Sequence, residues 1–111
     1  MKPTLPLAFR TLTLAPIMAA SLCSASFAHT PLCACYGNGD GTVLCEGGFS
    51  DGASAAGIAM KVVDGTGNAI VDGKMDSNSE FEFTAPEGPY SVVFEGGEGH
   101  QIVIPSTDIA Q

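Results

Sequence analysis

The chain from Leu32 to Ile104 is written in short apolar-alternating runs, each closed by a cluster of Gly, Asn, Asp or Pro. That rhythm specifies an antiparallel all-β domain, because alternation puts every second side chain on one sheet face and the clusters supply tight turns. About seven strands are predicted, over Leu32–Tyr36, Thr42–Glu46, Gly57–Asp64, Ala69–Met75, Glu80–Thr84, Tyr90–Glu95 and His100–Ile104. Glu80-Phe81-Glu82-Phe83-Thr84 places both Phe rings on one face, and Tyr90, Val92 and Phe94 share another; those faces are expected to meet in a core. Gly37-Asn38-Gly39-Asp40-Gly41 and Asp64-Gly65-Thr66-Gly67-Asn68 carry the residues that tolerate positive φ in hairpin turns. No 3.6-residue periodicity competes, apart from one loose turn expected at Ala53–Ala56. A two-layer antiparallel sandwich is the way to bury one face of each sheet.

The first 28 residues have the three parts of a secretory signal: Lys2 and Arg10, an apolar run from Leu12 to Leu22, and small residues at Ser26 and Ala28. The apolar run is too short for a stable membrane span. Leu22 is bulky where a lipid-attached cysteine needs a small neighbour, so Cys23 does not read as an anchor. Cleavage after Ala28 leaves a single domain over residues 29–111, soluble and periplasmic or secreted, with His29 first.

After that cut the basic residues are Lys61 and Lys74 against twelve carboxylates, a net charge of −10. Such a surface repels phosphate backbones, so nucleic acid is excluded as a partner. A free α-amine and an imidazole on His29 form a chelate suited to nickel, cobalt or copper, and His100 is the other imidazole of the processed chain. Pro31 has no amide proton for a metal to displace, which argues against a ligand set of successive backbone nitrogens.

Cys33, Cys35 and Cys45 are the thiols of the processed chain. A hairpin closed symmetrically about Gly39 opposes Cys33 to Cys45 and leaves Cys35 over; a slipped register pairs Cys35 with Cys45 instead. Cys45 is the common partner in both, and all three thiols face one side. Outside the cytoplasm a disulfide is expected, in preference to a soft-metal cluster of His29, Cys33, Cys35 and Cys45. Calcium is not expected at Tyr36–Gly41, where the first ligand position is Tyr36, nor at Asp76-Ser77-Asn78-Ser79-Glu80, where a polar turn accounts for the oxygens. No Ser or Cys stands in a nucleophile context beside a histidine, so an enzyme is not expected.

Gly48-Phe49-Ser50-Asp51-Gly52, the following Ala55–Val62 run, Asp64–Asn68, Phe81-Glu82-Phe83 and Gly88-Pro89-Tyr90 resemble the carboxypeptidase-regulatory-like, transthyretin-like sandwich over Thr42–Ile104. The pattern departs at Met75, where Thr is usual, and at Ser79, where Gly is usual. With a signal ending before His29, a leading hairpin and Gly97-Glu98-Gly99-His100, the chain also resembles the extracytoplasmic accessory proteins of energy-coupling-factor nickel and cobalt transporters. That resemblance implies a role in nickel or cobalt uptake beside membrane transporter components. It implies transient capture or delivery of Ni2+ or Co2+ at His29, with His100 as a second donor and no tightly bound cofactor. The competing expectation is a non-metal interaction module that docks on a partner protein or polysaccharide.

Overall fold

A computed structural model describes residues 30–97 and 99–111; the expected signal sequence over residues 1–28 and His29 lie outside the described residues. Seven strands form: β1 (Pro31–Gly37), β2 (Thr42–Phe49), β3 (Ala59–Asp64), β4 (Ala69–Lys74), β5 (Glu80–Thr84), β6 (Tyr90–Glu95) and β7 (Gln101–Pro105), followed by a short 3-10 turn at Ser106–Asp108. They build two antiparallel sheets, ordered β1-β2-β5 and β4-β3-β6-β7. This is the expected all-β sandwich.

The alternating residues face each other between the layers. Val43, Cys45 and Phe83 of the first sheet meet Met60, Val62, Tyr90, Val92 and Phe94 of the second. The Phe83 and Tyr90 rings meet edge to face at 5.8 Å, so the two most regular alternations in the sequence do close on one another. The loose turn expected at Ala53–Ala56 forms later instead, with the Ile58 N–H donating to the Ala55 carbonyl.

β2 continues three residues past Glu46, through Gly47 and Gly48 to Phe49. Glycine is a weak strand former, which is why the sequence alone stops the strand early. Here the missing side chain is needed: a Cβ on Gly47 would lie 2.9 Å from the Met75 thioether and from the Phe94 ring. β7 begins one residue later than expected, so His100 sits in the turn before it.

The first hairpin corrects the cysteine pairing. Asn38 N–H donates to the Thr42 carbonyl, and Asp40 Oδ1 accepts from the Thr42 N–H and hydroxyl. The loop is therefore centred on Asp40, not Gly39. Cys35 is opposite Cys45 and Cys33 is opposite Gly47. Cys35 and Cys45 form the disulfide, with Cα atoms 4.0 Å apart, the spacing of a pair that does not exchange backbone hydrogen bonds. Cys33 is the free thiol among the described residues.

Ser79 adopts the left-handed conformation (φ 62°) at the position where the resembling pattern has glycine. Its hydroxyl accepts from the Ala55 N–H at 2.9 Å, a bond that offsets the backbone cost and that glycine lacks. In the same turn Asp76 Oδ1 accepts from the Asn78 and Glu80 amides, so the oxygen-rich stretch is a carboxylate-capped turn.

At the far side, the end of the chain closes the sandwich. Ile109 is buried in the core, Ala110 pairs in parallel with Tyr36, and the Gly37 N–H donates to the Ala110 carbonyl at 2.6 Å.

Candidate functional site

One end of the sandwich collects the start of β1, the end of β2, the end of β6 and the start of β7. Pro31 pairs with Phe49, and the Phe49 ring lies 6.0 Å from that of Phe94. Phe94 in turn pairs with Ile102, two residues after His100. β1 and β7 are the edge strands on the same side, run in the same direction along that edge and touch. Pro31, just after Thr30, and Gln101, just after His100, therefore open two neighbouring strands at one end of the molecule.

The first described residue is fastened. Thr30 N–H donates to Ser50 Oγ at 2.9 Å, and the Ser50 N–H returns a bond to the Thr30 carbonyl at 2.9 Å. The Phe-Ser-Asp-Gly segment makes this clamp by turning back on itself: Gly52 N–H donates to the Phe49 carbonyl and Ala53 N–H to Asp51 Oδ1. The sequence shows the turn; that its partner is Thr30, twenty residues upstream, has no local signal.

His100 is half-buried at the end of the β6–β7 turn. Its backbone N–H donates to the Gly97 carbonyl at 2.8 Å, and its backbone carbonyl accepts from the Gly96 N–H at 3.1 Å. Gly96 must be glycine for this to close, because a Cβ there would fall 2.7 Å from the His100 carbonyl oxygen. Beside the turn, Gln101 Nε2 donates to Glu95 Oε1 at 3.0 Å. Glu95, Gly97, Gly99 and Gln101 line a shallow open depression of about 590 Å³.

Among the described residues no three His, Cys, Asp or Glu side chains gather as a metal-binding group. Cys35 and Cys45 are bonded to each other, so the four-donor soft-metal set is overturned. His29 lies outside the described residues; His100 is placed at the end where β1 opens, with Cys33 further along β1.

Burial pushes the Cys33 thiol from 9.0 up to about 11. The folded pKa is above the unfolded one, so this group's contribution to stability is whole below pH 9 and is lost as pH rises through 11. At a half-buried position that loss is about 1–2 kcal/mol. Iodoacetamide at pH 8 is expected to label Cys33 about 100-fold more slowly in the folded protein than in urea, since the thiolate fraction falls tenfold per pKa unit. Equal rates would show that the thiol is exposed.

Among the described residues no helix is long and apolar enough to cross a membrane. No family model, curated protein or solved structure matches this chain.

Proposed function

We propose that the processed protein is an exported accessory factor that captures or hands over Ni2+ or Co2+ beside a membrane transporter. The observation that supports this reading is the shared location of the start of β1 and His100 at one end of the sandwich. The disulfide fits an oxidising compartment, where the thiolates of a soft-metal cluster would not survive. Donors in this reading are the α-amine and imidazole of His29 and the imidazole of His100.

Backbone amides do not join the set. Pro31 has no amide proton, and the Thr30 amide is committed to Ser50 Oγ. Two or three nitrogen donors leave coordination positions open, which suits handover to a transporter better than storage. Protons compete with amine and imidazole donors, so affinity falls steeply below neutral pH. The reading involves no catalytic step.

Nickel titration of protein cut before His29 is expected to give at least about tenfold tighter binding than a version with one extra residue ahead of it, a difference of about 1.4 kcal/mol. Equal affinity overturns terminal-amine ligation. His100→Ala is expected to weaken binding similarly, and unchanged affinity removes His100 from the site. A second reading, a non-metal interaction module, is favoured by exposed apolar residues on the outer side of β1.

A further inference from the structure

The outer face of the β1-β2-β5 sheet is uncovered among the described residues and divided into two halves. On the β1 side lie Leu32, 51% exposed, and Tyr36, 38% exposed, with Leu44 opposite Tyr36 on β2. On the β5 side lie Glu80 and Glu82, with Glu46 between the halves. Glu46 is directly opposite Glu80, and Glu82 is opposite Leu44.

No lysine, arginine or histidine occurs on any of these three strands; both described lysines are on β3 and β4 of the other sheet. Like charges directly across a sheet are destabilising, by some tenths of a kcal/mol. Here the pair lies beside exposed Leu and Tyr side chains, and the Tyr36 hydroxyl donates to Glu46 Oε2 at 3.0 Å, fixing the carboxylate at the border of the two halves. Large apolar side chains rimmed by charge of one sign are the composition of a protein-binding surface.

We propose that this sheet face is a docking surface for a cationic amphipathic protein segment. Its apolar side chains pack on Leu32, Tyr36 and Leu44, and its Lys or Arg side chains pair with Glu46, Glu80 and Glu82. Charge complementarity selects this occupant. A second copy docking through the same face would set glutamates against glutamates. The surface shares no residue with the metal reading, so either stands or falls without the other.

The test is an NMR titration of the full processed protein with a capped eight-residue peptide of alternating Lys and Val, against one of alternating Lys and Ser. The expected result is shifts confined to the amides of β1, β2 and β5, and affinity at least about tenfold higher for the Lys–Val peptide. Glu80→Gln is expected to weaken binding several-fold while raising the unfolding midpoint, because it relieves the Glu46–Glu80 repulsion; a purely structural role would move the two together. Tyr36→Ser is expected to weaken binding with the disulfide intact. Equal binding of the two peptides, with shifts spread over Asp64, Asp72 and Asp108, would reduce the effect to net charge and overturn the proposal. Calcium chloride alone reproducing the shifts at submillimolar concentration would make the face an ion site and overturn it too.

Discussion

Phe94→Ala is expected to cost about 3–5 kcal/mol, the range for truncating a fully buried aromatic side chain. The ring has no exposed surface and bridges the layers: it reaches the space over Gly47 on β2, lies 6.0 Å from Phe49, and borders Gly96 in the turn that holds His100. A domain of this size has a total stability of roughly 4–12 kcal/mol, so the change removes a large fraction of it. The unfolding temperature should drop by more than 10 °C, at about 4–8 °C per kcal/mol. Phe94→Leu keeps most of the volume and should cost less than half as much. Urea unfolding of the three proteins checks this. Because Phe94 joins the Phe49 end of β2 to the β6–β7 turn, Phe94→Ala should also broaden the amide signals of Thr30, Ser50 and His100 before global unfolding. A loss below 1 kcal/mol would mean that the two sheets are not held together at this end.

Removing the Cys35–Cys45 bond is expected to cost about 3 kcal/mol, the loop-closure value for a ring of this length. Cys45 is fully buried and Cys35 nearly so, so a thiol reductant reaches the bond only when the hairpin opens. Dithiothreitol at pH 8 should therefore leave the native protein oxidised far longer than protein in urea, with the gain of two hydrogen atoms read by intact mass. Cys33→Ala should leave the bond and most of the stability in place, whereas Cys35→Ala should lose the bond and about 3 kcal/mol. Loss of the disulfide in Cys33→Ala would restore the pairing through Cys33 and overturn the hairpin register.

That register shows where sequence reasoning runs out. Moving the loop centre from Gly39 to Asp40 changes the partner of Cys45 from Cys33 to Cys35, a shift of two residues along β1. With a period of two, such a shift keeps every side chain on its face. Both registers put all three cysteines on the core-facing side, so the apolar pattern has nothing with which to choose between them. The choice falls to the loop, where Asp40 caps the Thr42 amide and Gly39 and Gly41 take positive φ.

The candidate site was legible only in part. Gly96 through His100 reads as a glycine-rich turn ending in a possible ligand, and Phe49-Ser50-Asp51-Gly52 reads as another turn. Their closeness to the start of β1 does not appear in either stretch. It depends on Phe49 meeting Phe94 across the layers and on Ser50 binding Thr30, contacts between residues 45 and 20 positions apart. The parallel pairing of Ala110 with Tyr36 is likewise invisible locally, because the Ser106–Gln111 stretch has no alternation to announce it.

The number of strands, their approximate positions and the apolar face of each are readable from the residues alone, because alternation and turn chemistry act between near neighbours and need no partner to be read. The disulfide partner follows from the folded loop that sets the hairpin register, and the meeting of the β1 start with the His100 turn exists only once the two layers pack. That meeting depends on how side chains fit across the gap between two sheets, where a glycine at position 47 makes room for Phe94 and Met75 and the Phe49 ring lies 6.0 Å from that of Phe94.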